Sequence, residues 1–129
     1  MLSKEDTPNK AVVRAMLMAL ERGDFTALEE HPGLYETRKY HPLWQKAFEE
    51  LTYTVERMVE EGDFVSTRVI MHGTHVGTFM GAAPTGQELS IGVLLMDRIV
   101  DGKIMEHWAN ADWVSVLIKL GILTPLPGD

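Results

Sequence analysis

Cysteine is absent from the 129-residue chain, so disulfides, thiolate metal sites and cysteine nucleophiles are excluded. Basic clusters are missing too. Twelve Lys and Arg stand against nineteen Asp and Glu, a net charge of −7, and a chain this acidic is a poor match for the phosphate backbone of nucleic acid or an anionic membrane. No apolar run approaches membrane-spanning length, and Met1-Leu2-Ser3-Lys4-Glu5-Asp6 holds no apolar signal core. The expectation is a cytoplasmic protein with neither membrane nor nucleic acid as partner. Internal repeats, low-complexity tracts and linkers are also lacking, which leaves one domain over residues 1–129 with one core.

What is present divides into two periodicities. Thr7 is placed to cap a helix with Pro8 at its first position, where the missing N–H costs nothing. Val12, Val13, Met16, Leu17 and Leu20 then recur at helical spacing, and Gly23 ends the run. Asp24 can cap a second, shorter helix through Glu30, with Phe25 and Leu28 inward, before His31-Pro32-Gly33 breaks it. A third helix is expected to start at Pro42 and to bury Trp44, Ala47, Phe48 and Leu51. From Thr52 the period becomes two. Strands are expected over residues 52–59, 64–78, 87–100 and 103–110. The turn Glu60-Glu61-Gly62-Asp63 joins the first pair and a Gly/Pro-rich loop over 77–86 the second. Asp101-Gly102 is a two-residue hairpin signal, because a type I′ turn needs positive φ at both central positions. A final helix over 112–120 is expected to bury Val114, Leu117 and Ile118 and to stop at Gly121. Helices followed by an antiparallel meander imply a segregated α+β fold, with room for a cavity where the sheet curls under the helices.

The second half resembles the SnoaL-like polyketide cyclases of the nuclear transport factor 2-like superfamily. The matching pieces are Glu61-Gly62-Asp63-Phe64-Val65, Gly73-Thr74-His75-Val76-Gly77-Thr78-Phe79-Met80-Gly81 and Pro84-Thr85-Gly86. They continue through Arg98-Ile99-Val100-Asp101-Gly102-Lys103-Ile104, Glu106-His107-Trp108-Ala109-Asn110-Ala111-Asp112 and Leu120-Gly121-Ile122-Leu123. The resemblance implies a cone-shaped, cystatin-like α+β barrel with a cavity between its curved antiparallel sheet and the N-terminal helices. It also implies a homodimer formed through the outer sheet face, and ring closure by an aldol step without metal or organic cofactor. The Asp that serves as acid/base at the end of the last strand in such enzymes corresponds to Asp112. The stretch from Leu28 to Pro42 is more compact than the family usually has, so His31, Tyr35 and His41 stay unassigned as pocket residues.

Asp112 carries two readings, helix cap and general acid/base, because a carboxylate in an apolar pocket has its pKa raised toward neutrality. Strand alternation puts Trp108 and Asn110 on one face and His107 and Ala109 on the other. If Asp112 continues the first face, Trp108 is an apolar wall and Asn110 a partner for a substrate carbonyl, while His107 looks toward solvent or a dimer interface. His72 and His75 lie three apart on a strand and so point to opposite faces, which argues against a shared metal; His75 can reach the pocket mouth. The loop over 77–86 lacks the Gly-Lys-Ser/Thr ending of a phosphate loop. The expected ligand is a small apolar carbonyl compound. A ligand-binding module and a dimeric interaction domain of the same fold are the alternatives to an enzyme.

Overall fold

The computed structural model describes residues 5–127; residues 1–4 of the N-terminal segment read above for a signal core lie outside them. Helix α1 runs Pro8–Arg22, with the Thr7 side chain accepting the Lys10 N–H and Gly23 in the left-handed conformation at its end. Its inward stripe is Val13, Met16, Leu17, Ala19 and Leu20, and burying each of the larger ones contributes about 1.5–3 kcal/mol. After α1 the chain makes two 3-10 turns, Thr26–Leu28 and Pro32–Leu34. The Asp24 carboxylate accepts the Ala27 N–H, but the expected second helix tightens to a single turn around buried Leu28.

Helix α2 spans Tyr35–Ala47 and contains Pro42, so the helix expected to begin at Pro42 begins seven residues earlier. The helix-starting proline is Pro32, whose 3-10 turn leads straight into α2. Phe48 and Leu51 are not helical. The chain switches to extended backbone at Phe48 (φ −127°, ψ 130°) and enters strand β1, Phe48–Glu61. Strands β2 (Phe64–His75), β3 (Glu88–Val100) and β4 (Lys103–Ala111) follow. Helix α3, Trp113–Lys119, closes the order and buries Val116, whereas Val114 is exposed and Leu117 and Ile118 are half-buried.

The four strands form one antiparallel sheet in the order β1-β2-β3-β4, an open sheet in which β1 and β4 are the edges. Asp101 and Gly102 both have positive φ in the β3–β4 turn, as the hairpin signal requires. The sheet bends because β1 carries register shifts between Glu49 and Thr52, where Glu50 has φ 55°, and between Val55 and Arg57; each extra residue in one strand kinks it and increases its twist. One face of the sheet is apolar and packs on α1: Val65, Val69 and Met71 from β2, and Leu89, Ile91, Val93, Leu95 and Ile99 from β3.

Strand β4 contains a third shift, between Arg98 and Ile99 of β3. Ile99 pairs with Ile104, but Arg98 pairs with Glu106, so Met105 is the extra residue. A one-residue slip moves every later side chain to the other face. Beyond the bulge His107, Ala109 and Ala111 sit opposite Asp97, Leu95 and Val93 on the inner face, and Trp108 and Asn110 sit opposite Met96 and Leu94 on the outer one.

Candidate functional site

Between the inner sheet face and the helices lies a cavity of about 710 Å³, within the range of small-molecule sites. Its middle is apolar, formed by Leu17 and Leu20 of α1 with Met71, Val93 and Leu95 of the sheet. Trp44 of α2 and Trp113 of α3 also border it, stacked with centroids 4.9 Å apart and planes at 14°. Tyr35 and Tyr40 border it while 64% and 50% exposed, which places them where the cavity meets solvent.

Polar groups reach this apolar space from the two edge strands. From β4 comes His107. Its Nδ1 lies 2.6 Å from Asp97 Oδ1; since a carboxylate only accepts, the ring donates there, and in the neutral ring Nε2 then carries the lone pair. Asp97 is completely buried, and its second oxygen has no partner among the described residues. A buried carboxylate is costly unless paired, so His107 both satisfies Asp97 and is fixed by it. At the other edge, Tyr53 of β1 and His41 of α2 border the cavity and share a hydrogen bond of 2.8 Å between Tyr53 Oη and His41 Nε2. Burial lowers the His41 pKa from 6.5 to about 4. Burial, reinforced by the Glu21 carboxylate, pushes the Tyr53 hydroxyl well above its ordinary value. Both side chains are therefore neutral at pH 7.

Several residues singled out in the sequence stand elsewhere. Asp112 is exposed, does not border the cavity, and caps α3: its Oδ1 accepts the Ser115 N–H at 3.3 Å and its Oδ2 the Ser115 hydroxyl at 2.8 Å. Of the two readings of Asp112, the cap is the one its contacts satisfy. Asn110 is exposed on the outer face and does not border the cavity, whereas Trp108 borders it, as expected, from a strand position paired on the outer face and is 45% exposed. The bulge at Met105 sets both strand positions. His75, expected at a pocket mouth, is fully buried against Phe48 and Phe79 and accepts the Thr85 N–H at Nδ1. The loop over 77–86 folds back on β2 and covers it. His72 sits between the Thr54 and Ser90 hydroxyls, far from sharing an ion with His75, and no group of three or more His, Asp or Glu is placed to hold a metal among the described residues.

Of the three unassigned residues, Tyr35 and His41 border the cavity and His31 does not. His31 is buried; its Nδ1 accepts the Ile104 N–H at 2.9 Å, tying the Pro32–Leu34 turn to β4 beside the bulge. Its pKa is lowered, first by burial and also by Lys103, against the opposing pull of Glu30 and Asp97. His107, expected to look toward solvent or a dimer interface, borders the cavity instead with its side chain 11% exposed, and neither Asp97 nor Tyr53 was singled out as a site residue in the sequence. A signal for Asp97 is there: positions 89, 91, 93, 95 and 99 are apolar, and 97 is the one charged residue in that alternation.

The likeness of this chain to known proteins is extensive. The description of the SnoaL-like polyketide cyclases matches residues 10–120. Aklanonic acid methyl ester cyclase DnrD of Streptomyces peucetius is 34% identical over 105 residues, covering 78% of this chain and 72% of its own. Among crystal structures, AclR of Streptomyces galilaeus superposes with a TM-score of 0.82 at 31% identity, over 93% of this chain and 85% of AclR. IdmH of Streptomyces antibioticus superposes with a TM-score of 0.78 at 30% identity, over 90% of this chain and 99% of IdmH. Helices laid over a bent four-stranded sheet, an apolar cavity between them and a match running through nearly the whole described chain agree in placing this protein in the SnoaL-like polyketide cyclase family.

Proposed function

We propose that the chain closes a ring on a flat, apolar polyketide bearing carbonyl groups, with His107 as the base and Asp97 as the residue that orients it. The observation that carries this reading is the His107–Asp97 pair, Nδ1 to Oδ1 2.6 Å, at a side chain that borders the cavity; in the neutral ring this leaves the lone pair on Nε2. His107 Nε2 takes a proton from the carbon next to one carbonyl. The resulting enolate carbon attacks a second carbonyl of the same molecule, forming the new carbon–carbon bond, and the alkoxide recovers the proton from His107. Asp97 balances the positive charge that develops on the ring and keeps its tautomer fixed. No electrons leave or enter, so the step is complete with these groups alone. The relatives named for aklanonic acid methyl ester make that ester the first substrate to assay.

Replacing His107 with Gln tests the assignment. General-base catalysis is typically worth about 10²–10⁴-fold, so turnover falls by at least about 100-fold while ligand affinity stays within a few-fold. Turnover kept near wild type would remove His107 from the mechanism. We further propose that two copies associate through the outer sheet face, because Leu94, Met96 and Trp108 are exposed there side by side on adjacent strands, and contiguous apolar surface of this kind marks an interaction site.

A further inference from the structure

Tyr53 and His41 have no part in the proton transfer assigned to His107, yet they occupy the opposite edge of the same cavity. Tyr53 lies on edge strand β1 opposite Met71, and its backbone N–H donates to Glu21 Oε1 of α1 at 2.7 Å. His41 reaches it from α2, packed between the Tyr53 and Phe25 rings at 6.2 and 5.8 Å. The side chain of His41 is buried, and its Nδ1 has no partner among the described residues. That orphan atom selects the tautomer. A proton on Nδ1 would be a buried donor with nothing to receive it, whereas a bare Nδ1 is an unfilled acceptor, the more readily tolerated of the two. With Nδ1 bare, Nε2 carries the hydrogen and donates to Tyr53 Oη. The Tyr53 O–H is then free to donate, and no acceptor for it is found among the described residues.

We propose that Tyr53, held by His41, is a second substrate-binding group of this cavity, a neutral hydroxyl that donates to a carbonyl oxygen at the end of the substrate remote from His107. The assignment rests on the reading of the cavity as a polyketide site and adds to it the polarity of the ligand: an apolar body spanning Leu17, Met71 and Leu95, with a hydrogen-bond acceptor toward β1. The two edges differ in kind. His107 presents a lone pair and cannot hold a carbonyl oxygen while neutral; Tyr53 presents a proton. Because burial keeps both His41 and Tyr53 neutral, this donor is present on both sides of neutrality.

The probes are 9-fluorenone and fluorene, flat tricycles of one outline that differ by a carbonyl, with binding read by equilibrium dialysis. Tyr53→Phe is expected to weaken fluorenone binding by about fivefold, the scale of one neutral hydrogen bond, and to change fluorene binding by less than about twofold. Equal loss for both probes, or no loss for either, overturns the assignment while leaving the role of His107 intact. Failure of the wild-type protein to bind either probe overturns both this assignment and the apolar-ligand reading on which it rests. Independently of any ligand, the ¹⁵N spectrum of the wild-type imidazoles is expected to show His41 protonated at Nε2 and bare at Nδ1; the reverse tautomer overturns the proposal.

Discussion

Asp112 and His41 illustrate what single side chains contribute here. The Asp112 carboxylate is held by both donors of Ser115, so its effect belongs to helix α3. Asp112→Ala is expected to destabilise the protein by about 1 kcal/mol, the worth of an N-cap, and Asp112→Asn by far less, since Asn caps equally well. Urea denaturation of both variants, alongside their turnover, checks this: a collapse of turnover in Asp112→Asn at unchanged stability would assign Asp112 the acid/base role. For His41, the folded pKa of about 4 lies below the ordinary 6.5. Between those values the unfolded chain binds a proton that the folded chain does not, so stability is full above pH 6.5 and declines as pH falls toward 4. The loss attributable to this ring is about 3 kcal/mol at its limit. Denaturation midpoints between pH 7.5 and 4.5 are expected to fall less steeply in His41→Gln than in wild type. His31 acts in the same direction.

At the scale of elements, the decisive feature is how β4 meets the turn before α2. A Cβ on Gly33 would lie 2.7 Å from the Glu106 nitrogen and 2.8 Å from the Met105 carbonyl carbon, so the Pro32–Leu34 turn sits directly on the backbone of the bulge. His31 adds its bond to Ile104 from the same turn. The clash is with backbone on both sides, so relief requires moving the turn or the strand. Gly33→Ala is therefore expected to cost about 1–3 kcal/mol, the range for overpacking, and to disturb His107, one residue beyond Glu106. Denaturation and the His107 imidazole resonances measure the two effects; an unchanged stability would mean that the turn or the strand yields without cost. Thr7 at the start of α1 and the Asp101-Gly102 turn are legible in the sequence because capping and turn geometry depend on a few neighbouring residues. The start of α2 is not, because Pro32 and Pro42 carry the same local signal, and only the packing of the preceding turn on β4 makes Pro32 the one that opens the helix.

For the molecule as a whole, the inner sheet face is covered by helices and the outer one is not. Leu94, Met96 and Trp108 remain 54%, 45% and 45% exposed, flanked by the Arg68–Glu56 and Arg98–Glu106 ion pairs. If this face joins two copies, a charge at its centre is desolvated without a partner, and Trp108→Glu is expected to shift a dimeric wild type to monomer in sedimentation equilibrium. A monomeric wild type at micromolar concentration would exclude that interface.

By itself the sequence determined the α+β class, the four-stranded meander, the hairpin at residues 101–102, the apolar stripe of α1 and membership of the SnoaL-like group. All of these follow from periodicity, turn chemistry and motif order, which are local or additive along the chain. Tertiary structure alone decided which β4 residues face the cavity. The extra residue at Met105 appears only when β4 is paired with β3, and it turns the strand positions of Trp108 and Asn110 outward, although Trp108 still borders the cavity. It brings His107 onto Asp97 instead and leaves Asp112 outside as a cap. The pairing of His41 with Tyr53 had the same origin: twelve residues apart in sequence, they meet because β1 is bulged and bent beneath α2, and no local pattern encodes that meeting.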